Sequence, residues 1–223
     1  MAARKRGALL DPKHSPARRG PTPRGVARDM VSSAPQGSEY RPSHEAHVFD
    51  RFAYLMSLVR EIPNFPKPGI LFRDITPLLA DPKAFHIVVD TLAEQFVGDH
   101  VDAVVGIESR GFIFGGALAA RLNASFVPVR KPGKLPYRVD RVSYSLEYGE
   151  SELEMHRDSL PEGTSVIIMD DLLATGGTAA ASAELVHRQG AYVAGFAFVI
   201  ELESLLGRDR LLPTPVYSLI RYP

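Results

Sequence analysis

The chain has 223 residues, 45% of them hydrophobic and 23% charged, the balance of a globular protein able to bury a core without staples. It has no Cys, which excludes disulfides, thiolate catalysis, Cys-ligated zinc and iron–sulfur clusters. Its net charge of zero divides unevenly: residues 1–44 hold nine Lys/Arg against three Asp/Glu, so the remainder is net acidic and carries no global basic field for nucleic acid.

Residues 1–44 contain six Pro, four Gly and five Ser, and no helical or strand period survives in them. Such a segment buries too little apolar surface to offset its chain entropy, and disorder is expected. Three readings stay open: a solvated tail or an extension upstream of a later start at Met30, an Arg-rich transit peptide, or a nucleic-acid arm. The Pro spacing opposes an amphipathic targeting helix, and interleaved aromatics for nucleic acid are missing. No N-terminal apolar stretch resembles a signal peptide, and no apolar run approaches the roughly 18 residues that span a bilayer.

The folded domain is expected over residues 45–223. Val48, Phe52, Met56, Val59 and Ile62 fall on one helical stripe, which predicts a helix over 46–62. NFPKPGILFRDITP then reads as loop, punctuated by Pro66, Pro68 and Gly69. Asp81-Pro82 is an N-cap with Pro at the first helical position, opening a helix to about Val97. AVVGI (103–107) is a short apolar run suited to a buried parallel strand, followed by a helix over 111–122 and a strand over 125–130. KPGKLPYRVD is polar and rich in turn residues, and SYSLEYGESELEM alternates about Gly149 as a hairpin would. Strands over 164–170, 191–202 and 216–220 and a helix over 177–189 complete the pattern. Alternating strands and helices predict an α/β domain with a mainly parallel sheet.

The most informative segment runs from Val166 to Thr178. A buried strand ends in Asp170 and Asp171; Thr175-Gly176-Gly177-Thr178 then leads into a helix. In open α/β sheets, ligands sit at the carboxyl ends of strands. The loop delivers backbone N–H groups and two hydroxyls to a helix N-terminus, a ready phosphate cradle. Carboxylates accept hydrogen bonds from hydroxyls, so the acidic pair suits a ribose beside that phosphate. Alone, Thr-Gly-Gly-Thr is an ordinary strand-to-helix turn; the strand and acidic pair in front of it point to a ribose 5-phosphate. Walker A and dinucleotide fingerprints are absent.

This segment resembles the phosphoribosyl-diphosphate (PRPP) motif of the type I phosphoribosyltransferases. FPKPGILFRDITPLL (65–79), GIESRGFIFG (106–115), VRKPGKLP (129–136), SYSLEYGESELEM (143–155) and DDLLATGGT (170–178) are similar, in order, to the adenine-specific members of that family. The resemblance covers roughly residues 50–223. It implies a type I phosphoribosyltransferase-like fold with a mainly parallel five-stranded sheet flanked by helices, a small hood over about 46–75 and a mobile loop over about 131–146. It implies the reaction adenine + PRPP → AMP + diphosphate through an oxocarbenium-like displacement, with Mg²⁺ arriving on PRPP and no protein metal site. A homodimer and a cytoplasmic location follow from the family alone.

The resemblance also assigns residues. Asp170, Asp171, Ala174, Thr175, Gly176, Gly177 and Thr178 would hold ribose and 5-phosphate. Arg110 would contact diphosphate, where a guanidinium suits two oxygens at once. Arg130, Lys131 and Lys134 would act from the loop that closes over PRPP and excludes water. Glu147 would accept the base proton. Leu71, Phe72 and Arg73 would recognise adenine, with Phe72 stacking on the purine. Two alternatives stay open: a 6-oxopurine as the base, whose hydrogen-bond pattern reverses at that edge, and a PRPP-sensing regulator on the same fold.

Overall fold

The computed structural model describes residues 50–145 and 150–223. The basic tail and Glu147 therefore lie outside the described residues. In chain order the elements are α1 (Arg51–Ser57), β1 (Arg60–Pro63), β2 (Leu71–Asp74), α2 (Thr76–Ala80), α3 (Pro82–Glu94), β3 (Ala103–Ile107), α4 (Gly111–Leu122) and β4 (Ser125–Val129). They continue with β5 (Val139–Ser145), β6 (Glu150–His156), β7 (Ser165–Leu173), α5 (Gly177–Arg188), β8 (Tyr192–Leu202) and β9 (Val216–Tyr222). Two 3₁₀ turns, Glu203–Leu205 and Gly207–Leu211, join β8 to β9.

The main sheet has five strands in the order β4-β3-β7-β8-β9, every neighbouring pair parallel. This is the α/β sheet flanked by helices that the alternation of elements predicts. Both faces of the sheet are covered, which is why its strands read as continuous apolar runs. Along β7, Val166 and Ile168 face α5 and the β5–β6 hairpin, packing with Leu185, Val142 and Met155. Ile167 and Met169 face the other way, onto Leu92 of α3, Phe114 and Leu118 of α4, and Leu55 of α1. Each such side chain, fully removed from water, contributes roughly 1.5–3 kcal/mol.

Four local expectations are corrected. Of the helix expected over 46–62, residues 46–49 with Val48 lie outside the described residues, and α1 ends at Ser57, because the chain turns at Leu58 and pairs as β1 antiparallel to β2. Its inward residue is Leu55, while Phe52 and Met56 of the expected stripe are exposed. The FPKPG stretch is a loop, but Leu71–Asp74 is the second strand of that small hairpin. The polar stretch after Arg130 becomes strand at Val139, where β5 pairs with β6 from Val139–His156 to Ser145–Glu150. β7 likewise runs past the acidic pair to Leu173, held there by pairing with Ile200 and Glu201 of β8.

Candidate active site

The carboxyl ends of β3, β4, β7 and β8 converge, and most of the residues singled out from sequence lie there. After β7, only Ala174, Thr175 and Gly176 separate the strand from α5. Gly176 is the N-cap of that helix, with φ +76 and no side chain capping the first turn. A left-handed backbone favours glycine here. The first N–H groups of α5 thus carry the helix's positive end without an internal carboxylate to neutralise it. They border a small cavity of about 70 Å³ lined by Asp170, Thr175, Gly176, Gly177 and Thr178. The Tyr144 hydroxyl lies 3.3 Å from Thr178 Oγ1, tying β5 to this loop.

α4 begins the same way after β3. Its N-cap is Arg110, again without a side-chain cap. The Arg110 Nε donates to Asp171 Oδ2 at 2.9 Å, and its guanidinium sits 5.4 Å from the centre of the Phe72 ring. Arg110, Asp171 and Phe72 are therefore one cluster, drawn from β2, the start of α4 and β7. Asp170 Oδ1 accepts the Asp171 N–H at 2.9 Å. Burial, and then the Asp171 carboxylate, push the Asp170 carboxyl well above the usual range. Burial raises Asp171 as well, against the pull of Arg110.

The second cationic cluster gathers round an acid that sequence reasoning did not select. Glu108, the first residue past β3, has a side chain only 9% exposed. It pairs with Lys134, and accepts from Arg130 Nε at 3.3 Å and from the Lys131 backbone N–H at 3.1 Å. Burial alone would raise its carboxyl; the hydrogen bonds and charges of Lys134, Lys131 and Arg130 outweigh it and hold the group below its ordinary value. Glu154 on β6, also buried, accepts the Gly133 N–H at 2.9 Å and pairs with Arg141. Two buried carboxylates thus anchor the start of the 131–138 segment. The signal for Glu108 was its place as the first polar residue beyond an all-apolar strand.

Leu71 and Arg73, on the same side of β2, line a larger cleft of about 680 Å³ with Ala174, Thr175, Leu202, Ser204, Leu205 and Tyr222. Phe72, on the opposite side of the strand, does not line it; its ring meets Phe65 edge-on and lies beside Arg110. The Arg73 guanidinium stacks on the Tyr222 ring at 3.7 Å and pairs with Glu61. Leu202 ends a parallel strand and was findable by that rule. Nothing in the sequence marks Tyr222, since the pairing of β9 is what brings it to the cleft.

The family model described as the phosphoribosyl transferase domain matches residues 78–217, which contain β3, β4, β7 and β8 of the parallel sheet with its acid pair, uncapped helix starts and cationic turn. Adenine phosphoribosyltransferase of Sorangium cellulosum is 65% identical over 174 residues, 76% of this chain and 87% of the relative. The solved adenine phosphoribosyltransferase of Thermoanaerobacter pseudethanolicus superposes with a TM-score of 0.75 at 48% identity, covering 77% of this chain and 99% of that one. The Saccharomyces cerevisiae enzyme, solved with adenine and an imino-altritol bisphosphate, gives a TM-score of 0.72 at 43% identity over 76% of this chain and 98% of that one. The chain belongs to the adenine phosphoribosyltransferase family.

Proposed function

We infer that this chain performs the reaction for which its family is named: the 5-phosphoribosyl group of PRPP passes to adenine, giving AMP and diphosphate. The observation that carries this is the end of β7, where Asp170 and Asp171 precede the uncapped start of α5, beside the cleft lined by Leu71 and Arg73. The yeast relative's pairing of adenine with a sugar bisphosphate supports the same two-part division.

The loop from Ala174 to Thr178 holds the 5-phosphate through backbone N–H groups and the hydroxyls of Thr175 and Thr178. Asp170 and Asp171 accept hydrogen bonds from the ribose hydroxyls. Arg110, beside Asp171, holds the diphosphate on the other side of the sugar, so the C1–oxygen bond is stretched between two fixed anions. Mg²⁺ enters as part of the PRPP substrate and offsets its charge. Among the described residues, no group of three or more His, Cys, Asp or Glu gathers to hold a metal ion.

Arg130, Lys131 and Lys134 add cationic charge as diphosphate leaves, once the Arg130 and Lys134 side chains exchange Glu108 for phosphate oxygens. Adenine lies in the cleft between the Leu71–Arg73 strand and the 202–205 segment, with backbone groups reading its edge; Phe72, expected to stack on the purine, instead faces Phe65 and Arg110 on the other side of the strand. Glu147 takes the proton from the base as the new carbon–nitrogen bond forms. The family supports a homodimer and a cytoplasmic setting; light scattering behind a sizing column tests the first. Among the described residues no helix is long and apolar enough to cross a membrane.

The deciding experiment is a coupled assay of adenine conversion to AMP with PRPP and Mg²⁺, beside hypoxanthine and guanine. Turnover of adenine alone is expected. Turnover of the 6-oxopurines instead would keep the PRPP site and overturn the base. PRPP binding without any turnover would turn the reading toward a sensor.

A further inference from the structure

Parallel neighbours such as β8 and β9 are ordinarily joined by a helix. Here the connection is the pair of 3₁₀ turns, and it touches both halves of the site. Ser204 and Leu205 line the large cleft. Gly207 packs against the phosphate loop so closely that a Cβ there would overlap the Ala174 carbonyl oxygen and lie 2.9 Å from the Gly176 nitrogen. A Cβ on Gly176 would in turn meet the Gly207 carbonyl at 2.5 Å. The two glycines let two backbones touch.

The next residue locks that contact. Arg208 grips Glu201, a buried carboxylate in β8, through Nε at 2.9 Å and Nη2 at 2.5 Å. Its Nη1 donates to the Val216 carbonyl at 2.6 Å, at the start of β9. Arg221, beside Tyr222, lies 3.6 Å from the same carboxylate. Burial opposes the charge on Glu201, but Arg208 and Ser218 outweigh it and hold the carboxyl below its ordinary value. A buried pair of this kind contributes little net stability, yet its fork fixes geometry.

We propose that Glu201 and Arg208 are positioning residues that, through Gly207, hold the phosphate loop and the base cleft at a fixed separation. The proposal rests on reading 174–178 as the phosphate cradle and the large cleft as the base site. AMP spans both halves, so its affinity reports their spacing, whereas ribose 5-phosphate and adenine report each half alone.

The test uses the full chain with Gly207→Ala and Arg208→Lys, the second keeping the charge but not the fork. Steady-state kinetics, calorimetric titration with AMP, ribose 5-phosphate and adenine, and thermal unfolding are measured for each. Gly207→Ala is expected to weaken AMP and raise the KM for PRPP roughly tenfold or more, as a displacement of about 1 Å can do. Arg208→Lys should weaken AMP more than either fragment, with the thermal midpoint nearly unchanged. Folded variants with wild-type AMP affinity and wild-type KM values would overturn the proposal. So would loss of thermal stability alone, with binding intact. If the wild-type chain leaves adenine unconverted, the functional reading fails, and the titrations of Arg208→Lys with AMP and with ribose 5-phosphate still decide the positioning role: an AMP affinity that falls no more than that for ribose 5-phosphate overturns it.

Discussion

Helices α1 and α3 begin on aspartates, whereas α4 and α5 begin on bare backbone. Asp50 accepts the N–H groups of Phe52 and Ala53 at 2.9 and 3.0 Å, and Asp81 accepts that of Ala84 at 2.9 Å. These caps neutralise the helix ends and settle the hydrogen-bond account locally. Arg110 and Gly176 provide no such side chain. These two ends follow strands of the main sheet, at its carboxyl edge, where ligands of α/β folds collect. The first pair is architecture; the second, in the function proposed above, leaves its donors for substrate oxygens. The difference separates stability from binding, and substitutions can be chosen to move one without the other.

The largest effect is expected at the acid pair. Replacing both Asp170 and Asp171 by Asn keeps the shape and removes the charge that the proposed ribose contact uses. Hydrogen bonds to charged groups contribute about 1.5–3 kcal/mol each. PRPP affinity, read by titration, should therefore fall on the order of a hundredfold with the fold retained. Native affinity in the double variant would show that the acids at the bare end do not clamp the sugar. A capped end should behave the other way. Asp81→Ala should lower the thermal midpoint by roughly 2–4 °C and leave the KM for PRPP unchanged. A shift in that KM would break the division between the two kinds of helix start.

The sequence made the bare ends unusually readable. The strand over 103–107 and the helix over 111–122 have the expected bounds, because an apolar run and a Gly-rich turn are local signals. Asp170 and Asp171 are adjacent in sequence, so their joint placement required no topology. Arg110 and Asp171 are far apart in the chain, and their 2.9 Å contact follows from β3 pairing with β7. Tyr222 was missed for the same reason, since the pairing of β9 with β8 brings it to the cleft, whereas Glu108 and Leu202 stand at strand ends that the sequence did mark. The helix stripe over 46–62 misled because spacing alone does not reveal a turn; pairing of β1 with β2 outweighs helical propensity after Leu58.

The two regions also respond to pH with opposite sign. The Ala84 N–H, and then the Tyr54 hydroxyl, hold the Asp81 carboxyl below its ordinary value. Its contribution is therefore full above an unfolded value of about 3.9 and is lost as pH falls through the lower folded value. Asp170 is raised by burial and by Asp171, so its charge opposes folding at neutral pH. That cost is relieved as pH falls through the raised folded value toward about 3.9. Asp170→Asn keeps the oxygen that accepts the Asp171 N–H and removes the opposing charge. It should raise the thermal midpoint near neutral pH, and the gain should shrink steadily on acidification, while PRPP binding weakens. Unfolding scans across pH for wild type and variant test this. A gain independent of pH would mean that packing sets the effect. A loss at neutral pH would mean that the Asp170 charge supports the fold, and the acid pair would then belong with the capped ends.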